Sequence, residues 1–60
     1  MLIEIRREEA VSETSVRKYR YTVDGIEDCK DDAERRVVKE LLDTGAISVT
    51  HGDITATKME

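Results

Sequence analysis

A chain of 60 residues forms one small domain, here residues 1–60, and a domain of this size buries only about 60% of its unfolded surface. Its single cysteine excludes an internal disulfide, and its single histidine excludes a zinc site made of cysteine and histidine within one chain. The formal net charge of −4 argues against non-specific nucleic-acid binding, which requires clustered lysine and arginine. Small domains are usually stabilised by disulfides, a bound metal, close packing or self-association. Because the first two are excluded here, we expect close packing or self-association, and we predict a homodimer.

The apolar start of the chain is too short for a membrane span or a signal peptide. Leu2, Ile3 and Ile5 are followed at once by Arg6 and Arg7. A lone thiol without an export signal predicts a cytoplasmic protein. No cofactor or phosphate-binding motif is present, so no cofactor is expected.

The first third of the chain predicts a β-hairpin. Residues 2–6 alternate apolar and charged side chains, and residues 16–23 are rich in β-branched and aromatic types. A register that keeps the apolar residues together also sets Arg6 opposite Arg20, which is unfavourable. A slip of two residues would satisfy the hydrophobic pattern equally well, so the pairing is predicted more firmly than its register.

The segment 28–45, DCKDDAERRVVKELLDTG, predicts the one helix of the chain. Asp28 is the favoured N-cap, with Asp31 as the competing choice, and Gly45 ends the helix. Apolar residues recur at helical spacing along one side. The predicted core stripe is Ala33, Val37, Val38, Leu41 and Leu42, which Cys29 extends backwards.

A second, tighter hairpin follows the helix. Residues 46–50 and 54–58 alternate again around a His-Gly-Asp turn, with Ile47 and Val49 predicted to point inward. The last strand is the weaker one and could instead be an extended tail. The predicted fold is therefore α+β, with three to four antiparallel strands and one helix packed on one face of the sheet, in the order ββαβ or ββαββ. Its other face, the bare face, carries Glu4, Arg6, Lys18, Arg20, Thr22, Ser48, Thr50 and Thr55.

An acidic cluster surrounds the predicted helix start. It consists of Asp24, Glu27, Asp28, Asp31, Asp32 and Glu34. The spacing does not fit a calcium-binding loop, and one helix on a small sheet leaves little room for a catalytic pocket. Helix capping explains most of these acids. The functional interpretation is a partner-binding acidic patch, because complementary charge steers protein association.

A basic group on the first hairpin supports an alternative hypothesis. Arg6, Arg17, Lys18 and Arg20 would bind nucleic acid, in the way that basic and aromatic residues on some small sheets hold single strands. Strand alternation places Tyr19 and Tyr21 on the opposite face from Lys18 and Arg20, so these groups would not act together. A solvated, charge-paired strand surface is the simpler interpretation, and a docking surface for an acidic protein partner is the third.

The single cysteine and the single histidine give no catalytic pattern. Cys29 lies near the helix start, where backbone amides favour a thiolate, but the neighbouring acids oppose it, so we expect a buried filler. His51 lies in a turn without a second ligand, and no metal site is predicted. We therefore predict that the protein is not an enzyme.

The open edges of the predicted sheet can pair with another strand, either from a second copy or from another protein. In size, charge and element order, the layout of two strands, an acid-capped helix, a glycine and a strand resembles very small proteins encoded by viruses and mobile elements. That resemblance implies a small inhibitor or adaptor. The sequence thus predicts a non-catalytic protein-protein interaction module, acting through the acidic helix start or a sheet edge.

Overall fold

The computed structural model describes residues 1–59 and confirms the α+β class with the element order ββαββ. The elements are β1 (Ile3–Ala10), β2 (Val16–Val23), a short 3₁₀ helix (Ile26–Asp28), α1 (Asp32–Thr44), β3 (Ser48–His51) and β4 (Ile54–Lys58). Among these residues, no helix combines the length and the apolar character needed to cross a bilayer.

The four strands form one antiparallel sheet in the order β2-β1-β4-β3, so β2 and β3 are the edge strands. The β1–β2 register sets Ile3 opposite Val23 and Arg6 opposite Arg20, which is one of the two registers that the hydrophobic pattern allowed. The weakly predicted last strand lies at the centre of the sheet. Its alanine, Ala56, is fully buried in the core, where α1 packs on β4.

The helix begins later than the sequence predicts. Asp31, not Asp28, is the N-cap, and its side chain accepts a hydrogen bond from the backbone N–H of Glu34 at 2.9 Å. Asp28 ends the 3₁₀ helix, and the extended backbone of Cys29 separates the two helices. The predicted end is confirmed, since Gly45 adopts the left-handed conformation with φ 71° and bonds to the carbonyl of Leu41.

The buried stripe of α1 is rotated relative to the predicted one. Ala33 and Leu42 are exposed, so both are wrong as core predictions, whereas Glu34 is fully buried. The buried residues Glu34, Val37, Val38 and Leu41 have the spacing i, i+3, i+4 and i+7. Relative to the prediction, Glu34 replaces Ala33 at the start of the stripe, and Leu42 lies outside it. The buried apolar residues are Ile3, Ile5, Val23, Cys29, Val37, Val38, Leu41, Ile54 and Ala56.

The inward placement of Ile47 is also wrong. Its residue surface is 76% exposed, and β3 begins only at Ser48, while Val49 is half-buried. The chain leaves α1 at Thr44 and enters the sheet at its outermost strand. At that corner no described element covers Ile47, so strand alternation alone does not bury it.

The helix covers only part of the sheet. It packs mainly on β3 and β4, whereas the long first hairpin extends beyond it in a molecule measuring 36 × 21 × 17 Å. We call residues 3–5 and 21–23 the inner half of this hairpin, and residues 8–10 and 16–18 the outer half. The inner half contributes buried residues to the core, and the outer half is exposed on both faces.

Candidate functional site in the first hairpin

Much of the predicted acidic patch is engaged by groups of the same chain. Asp24 accepts from the amino terminus of Met1 at 3.0 Å, and Asp28 accepts from the backbone N–H of Asp24 at 2.9 Å. Asp32 forms an ion pair with Arg35 one turn along the helix. These three carboxylates remain at the surface, but their charge is partly compensated locally.

The Asp31 carboxylate has two partners within the chain. It caps α1, and one of its oxygens also lies 3.0 Å from Nη1 of Arg7 on β1. The backbone N–H of Glu34 and then the Arg7 guanidinium hold the pKa of Asp31 below its ordinary value. Glu27, in the 3₁₀ helix, is exposed and has no ion pair among residues 1–59.

Glu34 does not belong to any surface patch, which corrects its predicted role as a partner-binding residue. Its side chain is fully buried, and its Oε2 accepts from Nη1 of Arg7 at 3.2 Å and from the hydroxyl of Tyr21. Its other oxygen, Oε1, has no hydrogen-bond partner within the described chain. Burial, and then the bond to Glu34, raises the pKa of Tyr21 to about 12.

This cluster of Arg7, Tyr21 and Glu34 lies where cover by the helix ends. Arg7 and Tyr21 continue the inward faces of β1 and β2 by one step beyond Ile5 and Val23. The sequence carried a signal for it, because Glu34 has the spacing of a core position relative to the buried valines of α1. A glutamate at such a position is expected to be buried only if a cation reaches it, and that cation, Arg7, lies on a strand distant in the sequence.

A cleft of about 540 Å³ lies beyond the cluster, on the helix side of the hairpin. We call it the hairpin cleft. Its walls include Arg7, Glu9, Tyr19, Tyr21, Lys30 and Asp53. Lys30 Nζ lies 4.1 Å from the centre of the Tyr21 ring, and the Tyr19 hydroxyl donates to Glu9. The cleft is therefore a mixed surface, with two tyrosine rings as its main apolar parts.

The predicted basic group is divided between the two faces of the sheet. Arg6, Lys18 and Arg20 lie on the bare face, whereas Arg17 shares the helix side with the tyrosines. Arg6 Nε lies 2.7 Å from Glu4, and Arg20 Nε lies 3.9 Å from the same carboxylate. One carboxylate thus serves two guanidinium groups, which leaves this part of the bare face with surplus positive charge.

The rest of the bare face is a row of hydroxyl groups on β3 and β4. Thr50 and Thr55 hydroxyls lie 2.9 Å apart, and those of Ser48 and Thr57 lie 3.1 Å apart. Such cross-strand pairs satisfy each other, which fits a solvated surface. No aromatic residue of the described strands lies on this face. The described part of the bare face therefore offers no aromatic ring on which a base could stack.

The outer edge of β2 is open along its whole length, since no described strand pairs with it. In the hairpin, the N–H of Val11 donates to Ser15 at 3.0 Å, and on the other side of β1 the N–H of Glu8 donates to Asp53 at 3.2 Å. Ladder bonds alternate along antiparallel strands, so the even-numbered residues of β2 point their backbone groups away from β1. Those residues are Val16, Lys18, Arg20 and Thr22.

The single cysteine and the single histidine each contact another group of the chain. Cys29 is buried, and this burial raises the pKa of its thiol above the ordinary value. His51 Nε2 lies 2.7 Å from an oxygen of Glu40 on α1, which ties the second hairpin to the helix. Within residues 1–59, no three His, Cys, Asp or Glu side chains are grouped to hold a metal ion.

No protein-family model, no curated protein sequence and no solved structure matches this chain.

Proposed function

We propose that this chain is a non-catalytic protein-binding module that receives an extended segment of a partner on the outer edge of β2. The observation that carries the proposal is the open eight-residue edge, with alternate backbone N–H and C=O groups directed outward. Added strands gain affinity from such main-chain bonds. A module of this size acts by occupying or bridging another protein, as a small inhibitor or adaptor does.

The acidic helix start supports this function less strongly than the edge does. Glu34 is buried, and Asp31 is held by the helix cap and by Arg7. Asp24, Glu27, Asp28 and Asp32 remain a secondary surface that can steer a basic partner during encounter. Because their charge is partly compensated within the chain, we assign the specific contact to β2.

Self-association, if the protein is the predicted homodimer, is better served by β3 than by β2. The charged residues of β2 are Arg17, Lys18 and Arg20, so antiparallel pairing of two β2 strands brings like charges together. The β3 strand carries no lysine or arginine, and Ile47 beside it is 76% exposed. A dimer through β3 would leave the β2 edge open for a partner.

Nucleic-acid binding is the alternative, favoured by the three basic residues that share the bare face. Glu4 and Glu8 dilute their charge, and the aromatic residues lie on the other face. A partner protein in the cytoplasm, where the lone thiol stays reduced, remains the better-supported proposal.

The test compares two substitutions at one position of the edge. Lys18→Pro and Lys18→Ala both remove the charge, but only proline removes the outward N–H, and proline is tolerated on edge strands at such positions. Tagged wild type and both variants are used to capture proteins from nuclease-treated lysate of the source cells, after circular dichroism confirms their folding.

We expect the alanine variant to retain the partner and the proline variant to lose it. Capture by folded Lys18→Pro at the wild-type level overturns the β2 edge as the site. Retention of nucleic acid alone, in lysate without nuclease, overturns protein binding in favour of the alternative. Sedimentation of the same samples reports the dimer separately, and a dimer retained by Lys18→Pro places self-association away from β2.

A further inference from the structure

We infer that the segment received by β2 carries two acidic residues, two positions apart, with an apolar residue between them. The inference rests on the proposed function and names the chemistry of the partner. Two features of β2 lead to it: which of its backbone groups point outward, and which side chains accompany them on each face.

The outward backbone groups belong to residues whose side chains lie on the bare face. In an antiparallel addition, the partner residues hydrogen-bonded to Lys18 and Arg20 also direct their side chains to that face. They therefore come to lie directly beside the ammonium and guanidinium groups. The charge required at these two partner positions is decided by what Lys18 and Arg20 already contact.

Both cations have capacity for a second carboxylate. Lys18 Nζ lies 3.9 Å from Glu8, Arg20 Nε lies 3.9 Å from Glu4, and the two side chains are 76% and 69% exposed. The short contact of Glu4 is made instead with Arg6, at 2.7 Å. Neither cation is thus held tightly within the chain, and an incoming carboxylate on the open side of β2 finds a free approach to each.

The residue between the two acids faces the helix side, opposite Tyr19. Pairs without ladder bonds are the closer ones in an antiparallel sheet, with Cα atoms about 4.5 Å apart, so their side chains touch. The Tyr19 hydroxyl is bonded to Glu9, which leaves the ring as the surface offered to a neighbour beside the hairpin cleft. Aromatic and β-branched residues pair favourably across strands with such a ring.

The pattern also separates this partner from a second copy of the chain. The β2 strand contains no acidic residue, so a second copy cannot supply acids at the positions where they are required. Lysine and arginine on an edge strand discourage self-pairing in this way. The structure therefore favours a different protein, one with a short acidic and apolar extended segment.

The test uses synthetic eight-residue peptides added to the ¹⁵N-labelled full chain. In the first peptide glutamate alternates with valine, in the second lysine replaces glutamate, and in the third serine replaces valine. We expect the first to shift the amide signals of Lys18 and Arg20 and to bind about tenfold more tightly than the second, as two exposed ion pairs allow. The preference should fall with added salt.

Two double variants with equal loss of charge serve as a matched pair. Lys18→Gln/Arg20→Gln should lose the preference for the glutamate peptide. Arg36→Gln/Lys39→Gln, on the exposed side of α1, should keep it. Loss of the preference in both variants would mean that net charge alone is responsible, which overturns the inference.

The other outcomes distinguish the inference from the function on which it rests. Equal binding of the glutamate and lysine peptides, with shifts on β2, overturns the acidic pattern and leaves strand addition standing. Equal binding of the valine and serine peptides overturns the apolar position alone. If no peptide shifts any β2 amide, strand addition itself is overturned.

Discussion

The two halves of the first hairpin are built from the same two strands in one register, yet they have opposite environments. In the inner half, Ile3, Ile5 and Val23 are buried, whereas the outer half is exposed on both faces. The difference lies in the covering element, because α1 reaches the inner half and not the outer one. Strand alternation orients side chains, but only a packed partner buries them.

The cluster of Arg7, Tyr21 and Glu34 lies at the boundary between the buried and the exposed half of the hairpin. Arg7 and Tyr21 have apolar stems that extend the core, and polar ends that reach Glu34. Beyond them the helix side of the hairpin opens into the hairpin cleft. The inner half therefore contributes to the core, whereas the outer half keeps its side chains exposed on both faces.

The largest expected effect separates the halves by a single substitution in each. Ile5→Ala, at a fully buried position, should lower the free energy of unfolding by about 3 kcal/mol. Val16→Ala, at a position 58% exposed, should change it by less than about 0.5 kcal/mol. Urea unfolding followed by circular dichroism measures both. Similar decreases in the free energy of unfolding for the two variants would show that the outer half is also packed, which would contradict the difference between the halves.

A second substitution tests the boundary cluster. Glu34→Leu removes the acceptor of Arg7 and Tyr21 while keeping most of the volume, and should destabilise the fold by about 2 kcal/mol. Adding Tyr21→Phe, which needs no acceptor, should recover part of that loss. A Glu34→Leu protein as stable as wild type would mean that the buried carboxylate contributes nothing to stability.

The sequence was sufficient for features that depend on near neighbours. The alternation of the strands, the stop at Gly45 and the pairing of β1 with β2 all follow from local patterns, and the structure confirms them. The register of that pair is one of the two that the hydrophobic pattern allowed. The error in the helix start concerns a choice between two nearly equivalent local solutions. Asp28 and Asp31 are both good N-caps, and the contact of Asp31 with Arg7, on a distant strand, accompanies the second choice.

The candidate site was less predictable than the fold, for the same reason. Glu34 belongs in an acidic run by sequence, and only the position of Arg7 and Tyr21 shows why it is buried. Strand order depends on contacts between β1 and β4, which are far apart in the chain, so the sequence did not reveal that β2 is an edge. Local patterns identified the acidic cluster and the basic residues of β2 as candidates, and long-range packing determines which of them stay exposed.

The smallest expected effect concerns the proton of Tyr21. Its pKa is raised from 10.0 to about 12 in the folded protein by burial and by the bond to Glu34. Between these values the unfolded chain releases this proton while the folded chain keeps it, so stability should fall as the pH rises from about 10 towards 12. Urea midpoints of wild type and Tyr21→Phe, measured from about pH 9 to about pH 11, isolate this contribution, because every other titrating group is common to both proteins. We expect the wild-type midpoint to decline more steeply. Parallel declines would show that the Tyr21 hydroxyl is as accessible to solvent as that of Tyr19, and the boundary between the halves would then lie nearer to the core.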